Sequence, residues 1–376
     1  MTKWVKCKLG DICTLNYGKA LTATNRVAGN VPVYSSAGIT GWHNTPLVQS
    51  KGIVIGRKGT VGTVYYSNAP FYCIDTAYYI LPNDEMYDFQ WLFYRLKSLH
   101  LDKLNEDSAV PGLNRETAYA QEFLLPSLDV QKKIAGVLSA IDNKIALNTR
   151  INDNLEQQAQ ALYKQWFVDF EFPNKDGKPY KSSGGKMVDS ELGQIPEGWR
   201  VQTFGDLIKP QKGKNITRAQ VTIGSIPVVA GGLMPSCYHN TSNTHCPVVT
   251  ISASGANAGY VKMYHMPIWA ADCSYIDDTI SKYVHFAYVF LTYNQTSIYH
   301  KQQGCAQPHI YPSHLMELQF ICPTLDILDK FESWSKKIYK LIGTNIQEIE
   351  TLAILRDTLL PKLMSGELNV DDVSVD

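Results

Sequence analysis

The stretch QKKIAGVLSAIDNKIALNTRINDNLEQQAQALYKQWFVDF, residues 131–170, contains no proline and repeats its apolar side chains at alternating intervals of four and three. Ile134, Leu138, Ile141, Ile145, Asn148, Asn152, Leu155, Ala159, Leu162 and Trp166 fall on one line. That period marks a coiled-coil seam on a single long helix, expected over 129–170, with two asparagines in its middle. At about 1.5 Å per residue the helix would span roughly 55–60 Å. A narrow stripe of that length needs a partner helix.

The chain supplies the partner 197 residues further on, where the seam becomes Phe331, Ser335, Ile338, Ile342, Asn345, Ile349, Leu352, Arg356, Leu359 and Leu363. Asn148 falls on Asn345, and Ile141, Ile145, Leu155 and Leu162 fall on aliphatic residues. The same shift carries Asp75 to Asp272, Tyr78 to Tyr275, Ala109-Val110-Pro111 to Ala306-Gln307-Pro308, and Pro126 to Pro323. Near the N-terminus the shift is 195, pairing Trp4 with Trp199. The chain is a tandem duplication with far too long a period for a solenoid.

Each copy opens with short β-rich runs punctuated by Gly and Asn. These are VPVYSS (31–36), GIVIG (52–56) and TAYYILP (76–82) in the first, and IPVVAGG (226–232), PVVTIS (247–252) and GYVKMY (259–264) in the second. A helical run follows in each, near 87–101 and 282–293, then a loop and a closing strand at EFLLP (122–126) or LQFICP (318–323). The expected class is α+β: a β-rich unit at 1–128 and its long helix at 129–170, then a second unit at 199–325 and its helix at 326–364. The two helices are expected to pack as an antiparallel coiled coil. Residues 171–198, with five glycines and three prolines, read as a flexible or extended linker. Pro361 should end or kink the second helix, and the polar tail at 365–376 should fray.

With 35 basic and 35 acidic residues the net charge is zero, so the distribution carries the information. Between Asp11 and Asp75 there is no carboxylate, while Lys19, Arg26, Lys51, Arg57 and Lys58 lie in that window. Between Asp206 and Asp272 the same holds, with Lys209, Lys212, Lys214, Arg218 and Lys262. Carboxylates repel phosphate, so two matched acid-free windows keep a surface usable by a polyanion. The competing reading is a Gly/Ser/Thr-rich β-region that uses few acids. The Gly-rich turn GRKGTVG (56–62) and its counterpart SASGANAG (252–259) lack the order of a nucleotide-binding loop. As turns that bring backbone to a phosphate they fit, and Arg57 could fork onto a guanine. The candidate DNA contacts are Lys19, Arg26, Lys51, Arg57, Lys58, Lys212, Lys214, Arg218, Ser252, Ser254, Asn257 and Lys262. The strand tyrosines Tyr65, Tyr66, Tyr78, Tyr79, Tyr260 and Tyr275 read as core or cross-strand partners, and Asp75 and Asp272 as turn carboxylates.

LDVQKKIAGVLSAIDNKIALNTRINDNLEQQAQALYKQWFVDF (128–170), SELGQIPEGW (190–199) and LRDTLLPKLMSGEL (355–368) resemble the specificity subunit of type I restriction-modification systems, in that family's order. The resemblance covers nearly the whole chain. It implies two target-recognition domains, each reading half of a split, asymmetric sequence in double-stranded DNA. The antiparallel helices would fix the half-site separation, with a seam of Ile134, Leu138, Ile141, Ile145, Asn148, Leu155, Leu162, Ile338, Ile342, Asn345, Ile349, Leu352 and Leu359. It further implies two methyltransferase and two restriction subunits as partners, which would hold the S-adenosylmethionine, ATP and Mg. This chain itself is expected to bind no cofactor. One departure is that the second helix opens ILDK (327–330) where the first has VQKK (130–133).

No methyltransferase NPPY or DPPY tetrapeptide, Walker A motif or recurring nucleophile–base set appears, so no catalysis by the chain itself is expected. Cys237, His239, His245 and Cys246 in CYHNTSNTHC match no usual zinc spacing and have no equivalent in the first copy, so no metal site is expected. No apolar run approaches a membrane span or a signal-peptide core, and eight cysteines without a framework suit a reducing cytoplasm. Two rival readings are a metal-dependent hydrolase using the Cys237–Cys246 cluster and a coiled-coil adaptor that binds proteins alone. Reversing the charge of Arg57 and Lys58 separates the adaptor from a DNA reader. DNA affinity should fall in an equilibrium titration while docking of the methyltransferase subunit persists; unchanged DNA affinity would favour the adaptor.

Overall fold

The computed structural model describes residues 4–104, 112–304 and 307–373, so Ala109-Val110-Pro111 and Ala306 of the duplicated loop lie outside it. The chain divides into two compact units, Met1–Leu147 with Ile349–Asp376, and Asn148–Glu348. The first long helix is continuous over Leu128–Tyr163 and ends in a π-helical turn, Lys164–Val168; the second runs Leu325–Ser365. The boundary between units therefore falls inside both helices, and not at their ends.

In unit one, the strands Asn16–Tyr17, Ala77–Ile80, Gly52–Gly56 and Val64–Ser67 form an antiparallel sheet in that order. Every residue of Gly52–Gly56 is buried, which explains why GIVIG shows no polar alternation. A second sheet, Gly38–His43, Val31–Ser35 and Tyr72–Cys73, contains one parallel pair. Val5–Lys8 pairs with Glu122–Leu125 and joins the two ends of the β-rich region. The helix Phe89–Ser98 is capped by the Asp88 carboxylate, which accepts from Trp91 N at 2.8 Å. It covers the first sheet through Phe89 and Phe93, both 5.5 Å from the Tyr66 ring. Its Arg95 is buried, lies 4.7 Å from the Phe123 ring and donates to the Met364 carbonyl at 3.1 Å. Burial lowers the Arg95 pKa to about 10.

Unit one holds the start of the first helix against the end of the second. Ile134 and Leu138 share its core with Leu363 and Met364. Asp142 accepts from Arg356 at 2.8 Å and from the Tyr94 hydroxyl at 2.7 Å, and Lys133 meets Asp371 at 2.5 Å. Numbers rise along one helix as they fall along the other, so the pair is antiparallel.

Unit two repeats the plan. Its four-stranded sheet is Gln211–Lys212, Cys273–Ile276, Val248–Ser252 and Val261–Tyr264, and its three-stranded sheet is Cys237–His239, Ile226–Val229 and Trp269–Ala270. Arg200–Thr203 pairs with Gln319–Cys322, and the helix Val284–Tyr293 takes the covering position. The helix halves here are also antiparallel. Asn148 donates to Glu348 at 2.7 Å, Asn345 donates to Asn152 at 2.8 Å, and Tyr339 donates to Glu156 at 2.8 Å. Burial raises the Glu156 pKa. All thirteen seam residues are buried or half-buried, and Asn148 and Asn345 are 1% and 7% exposed. Below them an aromatic cluster of Tyr163, Phe167, Phe286, Phe290 and Phe331 fills the core, with Phe167 and Phe331 rings 4.9 Å apart.

The ladders correct the alignment of the two copies. Val54 pairs with Tyr79 where Thr250 pairs with Tyr275, so the shift for these two central strands is 196 and Tyr275 matches Tyr79 instead of Tyr78. The turn at 252–259 is one residue longer than that at 56–62, which makes the shift 197 for the next strand, and a residue lost from the second copy before the counterpart of Ala77 returns it to 196. In a strand a one-residue slip changes the face, so the correction alters which side chains are compared.

Three further expectations fail. The segment 171–198 is packed rather than a loose linker: Met187–Ser190 and Gly193–Pro196 form a hairpin, Ile195 is buried, and the Phe172 ring stacks on Trp199 and Tyr180 at 4.7 and 4.6 Å. Its glycines Gly177, Gly184, Gly193 and Gly198 have φ of 76° to 92°, so they shape turns. Pro361 neither ends nor breaks the second helix, which continues to Ser365. Pro361 and Asp357, whose carbonyl it leaves without a helical donor, are both exposed. The tail does not fray before Val373. Gly366, at φ 76°, turns the chain so that Leu368 N donates to the Lys362 carbonyl at 3.1 Å and Val370 enters the core of unit one. Deleting 366–376 should therefore destabilise unit one by about 2–4 kcal/mol. Denaturant unfolding of the full chain checks this, and an unchanged midpoint would show the tail to be dispensable.

Candidate nucleic-acid interface

The turn at 56–62 is held by its glycines and presents Arg57 and Lys58. Gly62 has φ 72°, and a Cβ there would lie 2.1 Å from Asp102 N, so no other residue fits. Arg57 is fixed through its backbone: its N donates to the Thr76 carbonyl at 2.9 Å and its carbonyl accepts from Leu113 N at 2.8 Å. Its guanidinium donates to the Asp75 carbonyl at 3.1 Å and lies 4.9 and 5.7 Å from the Tyr17 and Tyr78 ring centroids. Arg115, at the start of the short helix Arg115–Tyr119, lies 5.2 Å from Tyr17 and 5.8 Å from Tyr119. Tyr17 thus carries two guanidiniums and is still 48% exposed. With Lys58 and Asn114 these residues line a cleft of about 310 Å³. Arg115 Nε is buried and has no hydrogen-bond partner among the described residues, while the Glu116 carboxylate stands 3.6 Å away.

Residue order alone does not single out Arg115 or Tyr17 as candidate contacts. Arg115 lies outside the acid-free window and next to Glu116, so charge patterning hides it. Tyr17 could have been found only as the cross-strand partner of Tyr78, which the ladder supplies.

The other cations are dispersed over each unit. Lys19, Lys51 and Lys58 are exposed in unit one, and Lys51 lies 5.6 Å from the Phe89 ring. Arg26 is half-buried and donates to the Thr40 carbonyl at 2.5 Å, which ties it to the strand Gly38–His43. In unit two, Lys212 at the end of the strand Gln211–Lys212, and Lys214 and Arg218 beyond it, are exposed. Lys262 is half-buried, donates to the Leu233 carbonyl at 3.3 Å and lies 4.9 Å from the Tyr264 ring; burial lowers its pKa. Two of the polar residues in SASGANAG have internal roles. Ser252 is 5% exposed and donates to the Gly231 carbonyl at 3.0 Å, so as the end of a fully buried strand it cannot meet a ligand. The Ser254 hydroxyl donates to the Asp272 carboxylate. Asn257 is half-buried and its carbonyl closes a turn with Tyr260 N at 2.9 Å.

The tyrosines of the strands behave as packing residues: Tyr78 is 2% exposed, Tyr79 meets Phe71, and the Tyr275 hydroxyl donates to Gln211 at 3.1 Å. The Cys–His run does not converge. His239 is buried and accepts from Thr222 N at 3.0 Å, and His245 pairs with Asp278 at 3.1 Å. Among the described residues no group of three His, Cys, Asp or Glu could hold a metal, and no helix is long and apolar enough to cross a membrane. The hydrolase reading has no support in this arrangement.

Comparison with known proteins adds the following. A family model described as the type I restriction modification DNA specificity domain matches residues 1–157. The type I restriction enzyme MjaIX specificity subunit of Methanocaldococcus jannaschii is 27% identical over 346 residues, covering 85% of this chain and 78% of that protein. The HindI specificity subunit of Haemophilus influenzae is 23% identical over 334 residues, covering 69% and 71%. The crystal structure of the type I restriction-modification system S subunit from M. genitalium matches with a TM-score of 0.64 over 96% of both chains, at 17% identity. That likeness speaks for the α+β fold with its long helices.

If the exposed cations of unit two lie against phosphates, replacing Lys212, Lys214 and Arg218 by Ala should lower the slope of log K against log salt by about 2–3. Titrations of duplex DNA at several salt concentrations would measure it; an unchanged slope would remove those three from the interface.

Proposed function

We propose, for a chain that belongs to the type I restriction-modification specificity family, that each unit reads one half of a split, asymmetric DNA sequence on behalf of its complex. One observation carries this reading: two copies of one fold each contain an acid-free window of more than sixty residues, and each window exposes lysines or arginines. A duplicated fold with antiparallel helices suits a duplex, whose backbone has local two-fold symmetry while its bases need not. The helices, each continuous from one unit into the other, would set the gap between half-sites, on a scale where one turn of DNA is about 34 Å.

In this reading the chain performs no chemistry. Two methyltransferase subunits would use S-adenosylmethionine to methylate an adenine in each half-site, and two restriction subunits would use ATP and Mg to cleave DNA. The complex would work in the cytoplasm, where the DNA is. A protein-only adaptor would have no need of two acid-free windows.

The test is to express the chain with its methyltransferase partner and map methylated adenines across the host genome. A bipartite motif with a fixed gap is expected. Inserting one helical turn into the first long helix should change that gap while leaving both half-sequences intact. Methylation without a defined motif would defeat the reading, and an unaltered gap would defeat the spacer role.

A further inference from the structure

Phosphate contacts are owed equally to both half-sites, because the backbone is the same in each. Base contacts are where the two halves must differ. A ligand-facing feature present in one copy and absent from the equivalent place in the other is therefore a candidate base reader. The equivalence is set by the hydrogen bonds. Arg57 N donates to the Thr76 carbonyl as Ala253 N donates to the Asp272 carbonyl, and Leu113 N donates to the Arg57 carbonyl as Ile310 N donates to that of Ala253. Ala253 thus stands where Arg57 does. The strands Asn16–Tyr17 and Gln211–Lys212 place Lys212 at Tyr17, and the short helices Arg115–Tyr119 and Pro312–Met316 place Pro312 at Arg115. Both guanidiniums and the ring between them are absent from these three positions of unit two.

We infer that Arg57 and Arg115 form a guanine-reading pair and that unit one alone demands this base, an assignment that rests on the DNA-reading role proposed above. Guanidinium offers N–H donors and no acceptor, so its ligand must present acceptors. The major-groove edge of guanine offers two side by side, N7 and O6, at the spacing of a guanidinium fork. Stacking on Tyr17 restricts both side chains to planes set by the fold, which suits a directional contact better than the diffuse attraction exerted by exposed lysines. Arg57 and Arg115 line one cleft, so both guanidiniums face the same ligand-sized space. Tyr17 is exposed enough for the pair to be reached from outside.

The experiment uses the complex reconstituted with its methyltransferase partner and the duplex sequence that the wild-type complex recognises. Each guanine in turn is replaced by 7-deazaguanine, which keeps base pairing and phosphates but removes the N7 acceptor. Competition binding should show about a ten- to hundred-fold loss at a guanine in one half-site. Arg57→Lys and Arg115→Lys, which keep the charge, should each shrink that loss, and the sensitive guanine should become replaceable by other bases. Thermal melting of both variants confirms that they fold, and either one suffices for the comparison. If no guanine is sensitive, or the sensitivity survives both substitutions, the assignment is overturned. The same holds if the variants lose affinity equally for every sequence, which would mark a phosphate clamp. A wild-type complex with no bipartite sequence would instead overturn the proposed function itself.

Discussion

The structure depends on the antiparallel pairing of two long helices, each with a seam too narrow to be stable alone. A helix with one apolar stripe gains most of its stability from the surface that covers the stripe. Antiparallel pairing makes the start of each helix meet the end of the other, so neither unit is built from one continuous copy of the repeat. Leu363 and Met364 complete the core that begins with Leu9, and Leu155, Ala159 and Tyr163 complete the core around Phe286. The seam is also keyed by polar contacts. Asp142 with Arg356, Asn148 with Glu348, and Asn152 with Asn345 bond across it at 2.7–2.8 Å. Sliding one helix by a turn would leave several of these groups buried without partners, at about 1–3 kcal/mol each. The asparagines matched by the duplication do not bond to each other, because antiparallel packing sets each opposite a different residue.

The β-rich regions show how a duplicated fold acquires two different surfaces. Core positions stay apolar in both copies, as in Ile53 with Ile80 against Val249 with Ile276. Packing constrains them whichever ligand is bound. The rim has no such constraint, and there the copies diverge: Arg57, Tyr17 and Arg115 in one, Ala253, Lys212 and Pro312 in the other. The turn glycines belong with the core in this respect, since Gly59 and Gly255, at φ 81° and 82°, hold the same backbone shape under different side chains. A shape kept constant beneath a variable rim is what allows one scaffold to address different sequences.

Much of this was legible from residue order. The heptad-like seam, the duplication, the strands GIVIG and PVVTIS and the acid-free windows all arise from local periodicity or composition, which act without knowledge of the fold. What residue order left open were features decided by residues distant along the chain. Glycines in 171–198 looked like flexibility until positive φ turned them into fixed bends around Phe172 and Ile195. The tail looked polar because Val370 is one apolar residue among acids, and only the turn at Gly366 brings it to a core. Ser252 looked available for contact until the strand above it proved buried on both faces. Arg115 joins Arg57 across 58 positions because Tyr17, from a third segment, lies between them. Sequence by itself therefore determined the repeat, the helices and the charge windows, because short-range pattern is enough to write those. Tertiary structure decided the register of the copies, the halves from which each unit is assembled, and the cations that share a ring, because these follow from long-range packing that no local pattern encodes.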